Sequence, residues 1–131
     1  GGMVSVISRK YLIDNLTVPA FCTSLDGTIY HATETALNVT GYVFADLEGA
    51  SLSLLFTAAV DLVTLSGAPD PKVELIARRK DGTSFLSELA VSHVPAQGEH
   101  AAFFLCFLRD VSERFALRKE RTKLEAIIDS A

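Results

Sequence analysis

The chain has 131 residues, 49% of them hydrophobic and 21% charged, with a formal net charge of −4; it is long enough for one domain with its own core and too apolar for a disordered segment. The acidic balance excludes nucleic acid as the main partner, because phosphate binding needs clustered Lys and Arg, and the one basic cluster, Arg114 to Lys123, is interleaved with Glu120 and flanked by Glu113 and Glu125. The two cysteines, Cys22 and Cys106, make neither a disulfide framework nor a zinc motif, and no apolar run approaches the ~20 residues that span a bilayer, so a reducing cytoplasm and no membrane segment are expected.

Gly1 and Gly2 ahead of Met3 read as a remnant of tag removal. Val4, Ile7 and Tyr11 share one helical face, with Leu12 and Leu16 beside it, which predicts a short amphipathic helix ended by Pro19. The stretch "AFCTSLDGTIYHA" then predicts strand, tight turn and strand, since Asp26-Gly27 favours the positive φ of a hairpin turn. Short helical pieces follow from Glu34 to Ser66, punctuated by Gly41, Gly49 and Gly67, with Asp46 and Ser51 as N-cap candidates. The longest of these is expected over "TAAVDLVTLSG", before Pro69 and Pro71 enforce a loop.

The second half predicts β-structure. "KVELIARRK", the turn Asp81-Gly82 and "TSFLSELAVSHV" form a long hairpin, and "AAFFLCFLRD" adds a last strand. Phe85, Ser87, Leu89 and Val91 share one face of the middle strand, and Ser84, Glu88 and Ser92 the other, which is expected to be wet. The last strand is apolar from Ala101 to Leu108, so burial on both faces is expected, with the N-terminal helix as the candidate cover. The order predicts an α+β fold: a five-stranded antiparallel sheet with short helices on one face, an N-terminal amphipathic helix and a C-terminal linker helix.

In "RDVSERF", Asp110 and Ser112 are both able N-caps, and Asp110 with Glu113 has the spacing of a capping box. Beyond them Leu117, Leu124 and Ala131 recur at seven-residue intervals, with Ile127 and Ile128 near the same stripe, a short coiled-coil pattern broken by Glu120.

Three ordered stretches carry a family resemblance. "SLDGTIYHATETALNVTGYVFADLEGASL", "ARRKDGTSFLSELAVS" and "FLRDVSERFALRKE" resemble the opening strand pair, the central hairpin and the exit motif of a PAS domain, a sensory module of bacterial signalling proteins. The resemblance divides the chain into a tag remnant and N-terminal helix (1–16), the PAS domain (17–111) and a linker helix (112–131) leading to a downstream domain. Thr33 stands where many members carry Asn, so the polar cap is kept in a changed form while any ligand-reading role of that Asn is not.

By the same resemblance, the space between sheet and helices is a pocket for a small-molecule ligand or cofactor. Its expected lining is Leu37, Leu55, Leu62, Val63, Leu75, Ala77, Leu89 and Phe103 or Phe107, with Ser87 as the polar group that contacts a ligand, a water or a backbone carbonyl. A fully packed, ligand-free core is the alternative. No cofactor is assigned. Photoactive flavin chemistry needs a Cys where this chain has Leu52, and haem needs an axial ligand on the helix of "TAAVDLVTLSG", which has none; His31, His93 and His100 lie in or beside strands. Cys22 and Cys106 fall on strands that the resemblance makes neighbours, where they act either as a redox pair or as ordinary core thiols.

Catalysis by this chain is not expected: its carboxylates lie mostly in turns and on helix faces, with no phosphate-cradling Gly loop. The resemblance implies a signal relay from the last strand through Asp110 and Ser112, and a homodimer formed by the N-terminal helix (Val4, Ile7, Tyr11) and the linker (Leu117, Leu124, Ile127, Ile128). The output is expected to be a histidine kinase, with a cyclic-dinucleotide enzyme or a transcription regulator as alternatives. A second PAS domain could intervene, since "LIDNL" before the first strand is echoed by "IIDSA" at the end.

Overall fold

The computed structural model describes residues 17–130. Five strands form one antiparallel sheet: β1 (Ala20–Thr23), β2 (Ile29–Ala32), β3 (Lys72–Arg78), β4 (Ser84–Val94) and β5 (Phe103–Asp110), in the order β2-β1-β5-β4-β3. Between β2 and β3 run α1 (Glu34–Thr40), α2 (Phe44–Leu47), a 3-10 turn (Leu52–Leu55) and α3 (Leu62–Ser66); α4 (Ser112–Ser130) follows β5. The α+β architecture read from the sequence is the one observed. The stretch expected to form the N-terminal helix, with Val4, Ile7 and Tyr11, lies outside the described residues.

Two turns of one design close the hairpins. In Ser24–Thr28, Asp26 Oδ1 accepts the Thr28 N–H at 3.0 Å and Gly27 adopts φ 88°. In Arg79–Thr83, Asp81 Oδ1 accepts the Thr83 N–H at 2.9 Å and the Thr83 hydroxyl at 2.6 Å, and Gly82 adopts φ 89°. A side chain other than Gly is strained at those angles. The Asp therefore holds the turn from one side while the Gly lets the backbone reverse.

β5 is the centre of the sheet, pairing with β1 on one side and β4 on the other. Phe104, Cys106 and Leu108 face the helices and join Phe21, Ile29, Phe85 and Leu89 in the core. Phe103, Leu105 and Phe107 project from the opposite face by strand alternation, Phe103 buried and the other two half-buried. Both faces of the last strand are thus covered to a large degree, as its apolar run implies. The outer face of β4 is not uniformly wet: Ser84 and Ser92 are exposed, but Glu88 is buried.

The helical layer is shorter than its sequence pattern suggests. α3 has five residues, because Asp61 is its N-cap, accepting the Thr64 N–H at 3.1 Å and the Thr64 hydroxyl at 2.8 Å. This excludes "TAAV" from the helix and places Asp61 at its exposed start. Thr33 does the corresponding work for α1 from a buried position: its Oγ1 accepts the N–H of Ala36 at 3.2 Å and of Ala20 at 3.0 Å. One hydroxyl thereby ties the first helix to the first strand.

Replacing Thr33 with Val keeps the shape and leaves two buried N–H groups without their acceptor, which is expected to cost about 2 kcal/mol. Thr33→Ser keeps the oxygen and is expected to lose well under half as much. Urea unfolding of the two variants beside the parent chain measures both.

Candidate functional site

The turn between β3 and β4 meets the helical layer on one side and the end of β5 on the other. Arg79 is its centre. The Arg79 Nε–H donates to the Val39 carbonyl in the last turn of α1 at 3.1 Å, and Nη1 donates to Thr83 Oγ1 at 3.3 Å. The guanidinium lies over the Phe85 ring, 4.4 Å from its centroid, a cation–π contact. Its remaining nitrogen, Nη2, is 3.7 Å from Asp110 Oδ2. The same carboxylate accepts the Ser112 N–H through Oδ1 at 2.9 Å, at the first residue of α4.

Lys80 adds to this bracket. Its backbone N–H donates to the Thr40 carbonyl at 2.9 Å, and its Nζ pairs with Asp46 Oδ2 at 2.8 Å. That pair holds the Asp46 carboxyl below its ordinary range and raises the Lys80 ammonium above its own. Asp46 lies within α2, so it anchors the turn and is not the helix cap. Asp110 does not act through the expected box with Glu113: it bonds the amide two residues on, as an Asx turn does. Val111 between them is buried, and its N–H donates to the Leu86 carbonyl at 2.9 Å, so the chain leaves the sheet without slack.

The expected pocket lining separates into three groups. Leu55, Leu62, Ala77 and Leu89 are buried in the core between sheet and helices, and Leu37 and Leu75 pack against it. Val63 is 63% exposed on the far side of the short α3. Phe103 and Phe107 alternate with the core-facing residues of β5 and lie on the other face of the sheet, where they cannot line the space under the helices. Ser87 is fully buried in the inner row, and its Oγ donates to the Leu75 carbonyl across the hairpin at 2.7 Å. Of its three candidate partners, Ser87 thus engages the backbone carbonyl. Leu52 is part of the packed core.

Among the clefts that open to solvent, one of about 260 Å³ lies by Ile76, Ser84, Leu86 and Ser112, and two are larger. One, of about 440 Å³, lies between the first turn and α3, beside Asp26, Ser51 and Asp61. The other, of about 390 Å³, lies by Tyr30, His100 and Phe103, with the Tyr30 and Phe103 rings edge to face at 6.1 Å. His93 contacts Phe104 edge-on, and His31 is half-buried near Phe44. No group of three or more His, Cys, Asp or Glu able to hold a metal ion occurs among the described residues.

The register removes the redox pair. Cys22 is opposite Leu105 and Cys106 opposite Phe21, so the two thiols are one step apart on adjacent strands and point to opposite faces. Burial, and then the neighbouring Cys22, push the Cys106 thiol up to about 12, which removes the reactive thiolate at neutral pH.

The sequence pattern assigns no role to Arg79 and places Glu88 only on the face of β4 expected to be wet, whereas Glu88 is buried. Period-two alternation gives the inward side of Arg79, two residues after Ala77, but "ARRK" does not say which base meets a partner. Leu117, Leu124 and Ile127 are exposed on α4, and the side chain of Ile128 lies outside what is described.

Comparison with known proteins agrees with this geometry. The sequence profile of the family described as PAS domain matches residues 17–113. A crystal structure of a PAS domain from a two-component sensor histidine kinase is similar at TM-score 0.68 and 18% identity, covering 84% of this chain and 99% of that one. The PAS domain of an HTR-like protein from Haloarcula marismortui is similar at TM-score 0.65 and 22% identity, covering 83% and 94%. The Rhodobacter sphaeroides LOV protein is similar at TM-score 0.69 and 15% identity, covering 82% and 67%. Comparison with curated protein sequences gives no match. No helix among the described residues is long and apolar enough to cross a membrane.

The two thiols are expected not to form a disulfide with each other and to be slow to react in the folded protein. Intact mass after diamide treatment, followed by alkylation in denaturant, should show two alkyl groups per chain; a loss of two hydrogens with no alkylation would contradict the register argument.

Proposed function

Because the chain belongs to the PAS domain family, we propose that it is a sensory or relay module of a multidomain bacterial signalling protein. It carries a change in the helical layer or the dimer interface through β5 and Asp110 into α4. The observation that supports this reading is the double attachment of Arg79, to the Val39 carbonyl of α1 and to Asp110 at the start of α4. A shift of α1 moves the guanidinium, and the guanidinium is held on the carboxylate that caps the exit helix. The ion pair at 3.7 Å is partly exposed, so a stimulus need supply only a small differential energy to favour one arrangement.

The relay domain covers residues 17–111 and the linker runs from Ser112. The homodimer we propose uses the N-terminal helix and the exposed Leu117, Leu124 and Ile127 of α4. A histidine kinase is the favoured output, in keeping with the sensor-kinase PAS domain among the similar structures. The chain itself has no catalytic role in this reading. A second reading, a constitutive dimerisation scaffold, is favoured by the large side chains filling the core under the helices, Phe21, Phe56, Phe85 and Phe104 among them.

In the full-length protein, Asp110→Ala is expected to leave output at one level whatever the stimulus. Arg79→Met, which keeps the apolar stem over Phe85 and removes the guanidinium, should do the same at a folding cost of about 1–2 kcal/mol. Wild-type regulation in both variants would overturn the relay. A parent protein with stimulus-independent output, and a native mass equal to the bare dimer, would favour the scaffold.

A further inference from the structure

Two carboxylates face each other on the outer side of the sheet. Glu74 of β3 and Glu88 of β4 are direct cross-strand partners, an arrangement that repels unless cations attend it. The attending cations come chiefly from α4. Arg114 Nη1 donates to Glu88 Oε2 at 2.8 Å, and Arg118 Nη2 donates to both Glu74 oxygens at 2.9 and 2.8 Å. Arg109 of β5 stands 3.8 Å from Glu88 Oε1, and Lys72 of β3 adds a further positive charge. The Glu88 side chain is only 10% exposed.

The spacings agree. One helical turn separates Arg114 from Arg118, about 6 Å of rise, close to the ~4.8 Å between neighbouring strands. At about 100° per residue, Arg114, Arg118 and Arg121 form one stripe, and Leu117, Leu124 and Ile127 are centred roughly a quarter turn away. Those three apolar side chains are 64%, 59% and 65% exposed. Arg114 and Arg118 reach the carboxylates of the sheet, while Arg121 pairs with Glu125 on its own helix.

We propose that Glu74 and Glu88 clasp the exit helix to its own sheet through Arg118 and Arg114, and that this ionic clasp sets the rotational phase at which Leu117, Leu124 and Ile127 are presented. It deepens the relay reading, in which α4 is the output element, but it concerns only where the helix rests on its own sheet. The Arg118–Glu74 pair is exposed, so it is individually weak and screened by salt, while Arg114 reaches the buried Glu88 from a half-exposed position. The docked helix is therefore a state that modest forces can leave, and leaving it frees the arginine stripe and uncovers two like charges.

The test uses the full 131-residue chain, with nitroxide labels on Ser92→Cys and Lys119→Cys, diluted with unlabelled protein so that only distances within one chain are read. A narrow distribution is expected at low salt, broadening in 1 M NaCl. Glu74→Arg should broaden it at low salt, with the docked-to-free ratio down roughly twofold to fivefold, and loss of both pairs should lower it roughly threefold to thirtyfold. The charge swap Glu74→Arg with Arg118→Glu should restore the narrow distribution. A distribution that is broad in the parent chain, insensitive to salt and to Glu74→Arg, or not restored by the swap would overturn the clasp. None of these outcomes depends on whether the domain relays a signal, which the regulation of the full-length Asp110→Ala variant reads separately.

Discussion

The structure depends on the placement of β5 in the middle of the sheet. A strand that is apolar on both sides can bury itself only between two neighbours and beneath two covered faces, and β5 obtains the neighbours from two separate hairpins, β1–β2 and β3–β4. Its pairing with β4, from Ser87 opposite Asp110 to Val94 opposite Phe103, decides which residues enter the core. The same pairing brings Asp110 to the β3–β4 turn. The end of the chain's most buried strand and the turn that touches the helices are thereby made neighbours.

That junction joins three layers with few groups. Arg79 and Lys80 hold the turn to α1 and α2 by side-chain and backbone bonds, while Arg79 also reaches Asp110. The aromatic ring of Phe85 supports the guanidinium from below. Each contact is modest, and Arg79 is the group that touches both α1 and the residue bonded to the first amide of α4. On the other face of the sheet, the arginines of α4 meet Glu88 and Glu74. The exit helix is consequently held at its start by a cap and farther along by charge.

The core beneath the helices is filled by the protein's own side chains. Ser87, a polar side chain in the inward row of β4, donates its hydroxyl to the Leu75 carbonyl, and Leu52 is packed into the core. The helices pack against one face of the sheet and α4 lies across the other, so the arginine–glutamate contacts of α4 are separated by the sheet from that core.

Much of the fold was legible because it rests on local chemistry. The two Asp-Gly-Thr turns, the Thr33 and Asp110 caps and the unbroken apolar run of β5 are short-range signals, and each reappears as a specific bond or a covered face. The sequence by itself determined the strand and turn order, the sheet's composition and the presence of a helix leaving its end. Only the tertiary structure decided which face each residue of β5 presents, and hence that Phe103 and Phe107 lie away from the pocket and that the two cysteines cannot meet. It also decided which arginine of "ARRK" joins the exit junction and which glutamates receive α4. Strand register and the angle at which a helix crosses a sheet are set by packing among segments far apart in the chain. A one-residue change in register, invisible to composition and spacing, exchanges every side chain between the two faces.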